Sequence, residues 1–156
     1  RYVQQFLRNV AWGDVDFLIL DLPPGTGDIQ LTIVQTAELD GVVVVTTPQE
    51  VALIDARKAI GLFERVETPI LGIIENMSYF QCPSDGKIYH IFGEGGGERE
   101  AAKLGVPLLG KIPLDISTRS GGDEGRPVAL EDPGQNPVSA AFRQVAEQCA
   151  RVVLDR

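Results

Sequence analysis

The apolar positions of this chain form short unbroken runs, separated by stretches in which they recur every three or four residues. DFLIL (16–20), GVVVVTT (41–47), TPILGII (68–74) and VPLLGKIP (106–113) are runs of the first kind, and their near-continuous apolar character predicts strands covered on both faces. Helical spacing places Val3, Phe6, Leu7 and Val10 on one face of an opening helix, and Leu53, Ala56, Ile60 and Phe63 on one face of residues 50–66. GEREAAKLG (97–105) predicts a short helix after an irregular Gly-rich stretch. A closing helix from about 137 to 154 carries Phe142, Val145, Ala146, Cys149 and Val153 as its buried stripe. Between 115 and 137 Gly, Pro and acids predominate, which predicts a long surface loop. Strands alternating with helices predict βαβ units and an α/β fold with a doubly wound, mostly parallel sheet flanked by helices. No internal repeat or boundary interrupts residues 1–156, so a single domain is expected.

Charge narrows the function classes. The chain has 22 Asp and Glu against 14 Lys and Arg, a net charge of −8, so its surface repels a phosphate backbone; no nucleic acid and no membrane partner is expected. No apolar run approaches the roughly 20 residues of a membrane span. Two cysteines, Cys82 and Cys149, are too few for a disulfide framework, and no signal peptide is evident, which predicts a cytoplasmic location. The chain starts at Arg1, already inside an amphipathic helix, and this reads as a truncated start.

In an open parallel sheet the ligand lies beyond the carboxyl ends of the strands. The residues there are Asp21, Pro23, Pro24, Gly25, Thr26, Gly27 and Asp28 after the first run, and Thr46, Thr47 and Pro48 after the second. Glu75, Asn76 and Met77 follow the third, and Ile112, Pro113 and Asp115 the fourth. Asp21 can accept a hydrogen bond from a water on nucleotide-bound Mg²⁺, and Gly25 leaves its amide free to approach a γ-phosphate; the alternative is a strand-to-helix turn with an N-cap acid. Asn76 can read a purine edge through its amide or serve as a turn residue, and Pro113 can pack on the ring.

Two other segments imitate phosphate loops. GVPLLGKI (105–112) lacks the Ser/Thr after its Lys, has a strand-like interior and is followed by Pro113, so it is read as structure. FGEGGGERE (92–100) has glycines able to form an anion nest but no Lys-Ser/Thr pair, and is read as a flexible loop capping the next helix.

Taken together, WGDVDFLILDLPPGTGDIQLT, GVVVVTTPQEVALIDARKAI, PILGIIENMSYFQCP, IFGEGGG and GVPLLGKIPLDISTRSGGDEGRP closely resemble the Mrp/ApbC family. These are ATP-binding iron–sulfur cluster carriers related to the MinD and ParA ATPases, and the resemblance covers nearly the whole chain. It implies a P-loop NTPase-like fold lacking its N-terminal strand and phosphate loop, so that these residues alone bind ATP weakly or not at all. It further implies that Asp21 is the Walker B/switch II acid acting on Mg²⁺ through water, that Pro24 and Gly25 lie at the γ-phosphate, and that Asn76 and Pro113 flank the adenine. Asp28, Asp55 and Arg57 match family motifs without an assignable role.

Family carriers have a CPxCG motif after the third strand, each subunit of a homodimer giving two thiolates to one shared [4Fe-4S] cluster. Here the matching residues are Cys82, Pro83, Ser84, Asp85 and Gly86, so the second thiolate is replaced by a carboxylate, a harder and poorer ligand for such a cluster. Three readings follow: a labile cluster held by Cys82 of two subunits with or without Asp85, a cluster-free ATPase, or a thiol for another soft metal. Cys149, on the apolar stripe, reads as core, and His90 as a surface or turn residue. The resemblance therefore implies an ATP- and Mg²⁺-dependent hydrolase that loads or transfers a [4Fe-4S] cluster to apo iron–sulfur proteins. The alternative is a cluster-free regulatory ATPase switch acting through a protein partner.

Overall fold

The computed structural model describes residues 2–23 and 27–155, with the side chains of residues 2–4, 28 and 29 outside the description. Pro24, Gly25 and Thr26, named above as site candidates, lie outside the described residues, as does the side chain of Val3. The order of elements is α1 (Tyr2–Asn9), α2 (Asp28–Thr36), β1 (Val42–Thr46), α3 (Glu50–Arg65), β2 (Ile70–Glu75), β3 (Phe80–Gln81) and β4 (Ile88–Tyr89). α4 (Gly96–Leu104), β5 (Leu108–Lys111), α5 (Ile116–Asp123), a 3-10 turn (Val128–Leu130) and α6 (Pro137–Leu154) complete it.

β1, β2 and β5 form a parallel sheet in the order β1-β2-β5. Three of the four apolar runs thus become its strands, and helices flank it as the alternation requires. α3 packs on β1 and α4 on β2, burying Val44, Ala56, Ile60, Ile73 and Ala101 in one cluster, while α6 packs on β5 and β2. All four residues assigned to the inner face of α3 are buried.

The first apolar run behaves differently. Residues 16–20 form no strand, and Ile19 is 87% exposed with Phe17 and Leu18 also open to solvent. An apolar run becomes a strand only beside a backbone that completes its hydrogen bonds, and among the described residues no strand pairs with it. Phe6 in α1 and Val10 just after it are likewise exposed, and in α6 Ala146 faces solvent beside the buried Val145.

The expected long loop contains α5, because Asp115 caps it: its Oδ2 accepts from the Thr118 amide at 2.8 Å. Composition alone concealed that short helix behind two glycines. The irregular stretch after β2 likewise contains an antiparallel hairpin, β3 paired with β4.

Candidate functional site

Because the three strands are parallel, their carboxyl ends share one edge, and Thr46, Glu75 and Lys111 stand in register along it. Backbone bonding continues past the strands. The Asn76 amide donates to Thr46 O at 2.7 Å, Ile112 N to Glu75 O at 2.9 Å, Ser78 N to Ile112 O at 3.0 Å and Leu114 N to Tyr79 O at 2.8 Å. Asn76 and Pro113 therefore leave neighbouring strands at the ligand edge, both half-buried. The structure bears out the turn reading of Asn76: its Oδ1 accepts from the Met77 amide at 3.0 Å, making a turn in which Met77 has φ +53°, while Nδ2 has no protein partner among the described residues. At the end of β1 the Thr47 hydroxyl is buried without a hydrogen-bond partner among the described residues. A buried orphan of this kind at the ligand edge fits a polar group from outside the protein.

Asp21 is exposed and follows the unpaired run, so it does not stand on a strand end as expected. The segment is tied to α2 through Gln30, whose Nε2 donates to Pro23 O at 2.7 Å. Gly27 is the residue before α2 and Asp28 the first within it, so Asp28 is not an N-cap acid. No hydrogen bond among the described residues joins Asp21 to the Asn76 and Pro113 edge.

Glu75 was legible only as a strand-end residue. It is 0% exposed, and both carboxylate oxygens are engaged: Ser78 Oγ donates to Oε1 at 2.5 Å, and the Gly97 amide, in the first turn of α4, donates to Oε2 at 2.7 Å. A buried carboxylate is tolerable only when so paired, and the helix N-terminus adds its partial positive charge. The Gly-rich motif explains itself here. A Cβ on Gly97 would lie 3.0 Å from Glu75 Cβ, and one on Gly96 would lie 2.5 Å from the Pro48 carbonyl oxygen. FGEGGG caps α4 through Gly95, as expected, and its last two glycines let that helix dock against the ends of β1 and β2. An acid closing an otherwise apolar strand, ILGIIE, was the available signal, since such a group needs partners.

Cys82 lies at the tip of the β3–β4 hairpin, where its amide donates to Lys87 O and Gly86 N donates to Cys82 O, each at 2.8 Å. Its Sγ is 3.1 Å from Ser84 Oγ, and that hydroxyl holds the thiol below its usual range. Asp85 closes the turn: Oδ1 accepts from the Lys87 amide at 3.0 Å and Oδ2 lies 3.4 Å from Lys87 Nζ. The bond from the Lys87 amide keeps its carboxyl below the usual range. Both Asp85 oxygens thus face Lys87, and Cys82 is the hairpin's one soft donor. Among the described residues no three His, Cys, Asp or Glu side chains converge as a metal site. His90 borders the hairpin, with Nδ1 3.4 Å from Ser78 O and Nε2 3.6 Å from Glu94. Cys149 is half-buried on α6, and burial pushes its thiol up.

The segment imitating a phosphate loop is β5, with Lys111 paired to Glu98 at 3.0 Å. Arg57 receives a role that its motif did not disclose. Its Nε and Nη2 donate to the two oxygens of buried Glu100 at 2.8 and 2.6 Å, fastening α3 to α4, while Lys103 adds a third bond at 2.8 Å. These partners bring Glu100 down to about 2, the Arg57 bond acting most strongly. Asp55 makes an exposed pair with Lys58 at 2.9 Å.

Against known proteins, residues 1–150 match the family model for ParA, the NUBPL iron-transfer P-loop NTPase. The chain is 50% identical over 146 residues to an iron-sulfur cluster carrier protein of Pyrococcus furiosus, covering 94% of this chain and 49% of that protein. It is 49% identical over 144 residues to an iron-sulfur protein required for NADH dehydrogenase, mitochondrial, of Arabidopsis thaliana, covering 92% of this chain and 46% of that one. The chain spans about half the length of the curated relatives it matches. Among solved structures, a nucleotide-binding protein from Archaeoglobus fulgidus in complex with ADP superposes with TM-score 0.73 at 44% identity, covering 80% of this chain and 51% of that one. The cell division ATPase MinD of Pyrococcus furiosus shares the fold, with TM-score 0.71 at 24% identity over 97% of this chain and 58% of its own.

Proposed function

The chain belongs to the ParA family, as a NUBPL-type iron-transfer P-loop NTPase, and from this premise we propose that the protein carrying it is an iron–sulfur cluster carrier that binds and hydrolyses ATP. The observation that carries the reading is the continuity of one edge. The residue at the end of β2 that fits a purine, Asn76, lies six positions before the soft ligand Cys82, and the backbone between them is hydrogen-bonded to the end of β5. Nucleotide contact and cargo contact would thus share one hydrogen-bonded path.

The described residues fit the base side of a nucleotide. Asn76 would present Nδ2–H to the ring edge and Pro113 would pack on its face, with the Thr47 hydroxyl available to a polar group of the ligand. Bound Mg²⁺ supplies charge neutralisation at the phosphates, and Asp21 would hold it through a water. Pro24 and Gly25 would lie at the γ-phosphate. The complex of the Archaeoglobus relative with ADP supports a nucleotide as the ligand. The cluster is cargo. With one thiolate per hairpin, a homodimer joining two Cys82 side chains would hold it weakly and release it readily to apo iron–sulfur recipients.

The test is turnover in the full-length protein. Asp21→Ala should abolish ATP hydrolysis while the protein stays folded, and wild-type turnover in that variant sinks the assignment. A second reading, a cluster-free ATPase switch acting on a protein partner, is favoured by the commitment of both Asp85 oxygens to Lys87. Iron content after anaerobic reconstitution separates the two.

A further inference from the structure

The chain between the purine edge and the cysteine hairpin passes a single buried anchor. Glu75 is 0% and Ser78 3% exposed, and their side chains meet at 2.5 Å. Through its second oxygen Glu75 is fixed to the Gly97 amide of α4, an element itself fastened to α3 by the Arg57–Glu100 pair. One end of the anchor is therefore held on α4, and the other holds the root of the hairpin.

The two residues between Glu75 and Ser78 form a strained turn. Met77 occupies the left-handed region at φ +53°, uncommon for a side chain of its size, and the Asn76 Oδ1 bond to its amide holds it there. A purine read bidentately by the Asn76 amide, with Nδ2–H given to a ring nitrogen and Oδ1 accepting from an exocyclic amine, competes for that same Oδ1. Two arrangements of the turn follow: one with Oδ1 on the Met77 amide, and one with Oδ1 on the ligand and Met77 relaxed. His90, at the far end of the hairpin, contacts the Ser78 carbonyl oxygen at 3.4 Å, so a displacement of Ser78 reaches both ends of the Cys82 loop.

We propose that Glu75 is a positioning residue: by gripping Ser78 while anchored on α4, its carboxylate converts nucleotide contact at Asn76 into a change in the exposure of the Cys82 thiol. This rests on the functional reading above, through the assumption that nucleotide binds at Asn76. The latch needs two hydrogen bonds and not a charge, because a Gln in its place can accept from Gly97 and donate to the Ser78 hydroxyl, which reverses its role.

The experiment is the rate of iodoacetamide alkylation at Cys82, read by peptide mass in the full-length protein, with and without MgATP. Nucleotide affinity and melting temperature are measured alongside for each variant. In wild type the rate changes with nucleotide by about fivefold or more, the lower end of ordinary intersite coupling. Ser78→Ala and Glu75→Ala both lose that change while still binding nucleotide, and Glu75→Gln keeps it. A merely structural role would shift the melting temperature and leave the nucleotide response intact. A response retained in Ser78→Ala or Glu75→Ala overturns the latch and leaves the functional reading standing. A wild-type rate indifferent to bound nucleotide overturns the latch together with the shared path on which that reading rests, and failure to bind MgATP at all overturns both.

Discussion

At the residue scale the chemistry gathers on Cys82, a half-buried hairpin thiol whose neighbour Ser84 favours the thiolate. Thiolate is the reactive form, so Cys82 should alkylate faster near neutral pH than Cys149, whose burial has the opposite effect. Ser84→Ala should slow Cys82 several-fold, and equal rates in the variant and wild type would remove Ser84 from the account. Asp85 permits a sharper contrast. Since its oxygens already serve Lys87, Asp85→Asn should leave reconstituted iron unchanged, whereas Asp85→Cys should raise its retention by supplying a second soft donor. A fall in iron with Asp85→Asn would show the carboxylate to be a ligand after all. The sequence made the lost thiolate visible but not what the carboxylate does, because an Asp two residues before its donor looks alike as a turn former and as a ligand.

Elements meet through a few polar contacts that apolar periodicity cannot reveal. The strands β1, β2 and β5 and the inner face of α3 were legible because continuous and 3.6-residue patterns report burial directly. The docking of α4 was not, since it depends on Glu75, Gly96 and Gly97, residues that carry no periodic signal. Gly96→Ala pushes a methyl against the rigid Pro48 backbone and should cost about 1–3 kcal/mol, more than Gly97→Ala, whose neighbour is a side chain. Chemical denaturation of the two variants checks the order. The Arg57–Glu100 tie between α3 and α4 has a pH signature. Glu100 falls from 4.5 unfolded to about 2 folded, so its stabilisation is complete above pH 4.5 and is lost as the pH falls toward 2. Glu100→Gln should flatten the stability profile across that window, and an unchanged slope would place the acid sensitivity elsewhere.

The whole molecule is an α/β sheet whose carboxyl edge brings Asn76 and Pro113 beside a cysteine hairpin. That edge could be read from strand order alone, since parallel strands end together. The placement of Asp21 could not, because the run before it pairs with no strand among the described residues and composition does not report pairing. Among the described residues no helix is long and apolar enough to cross a membrane. The claim that joins these features is that the protein carries an iron–sulfur cluster on Cys82. Iron and acid-labile sulfide should be counted in the full-length protein after anaerobic reconstitution, in wild type and Cys82→Ser. The account predicts about four irons per two chains in wild type, the content of one shared cubane cluster, and near-complete loss in Cys82→Ser. Equal iron in both proteins would contradict it.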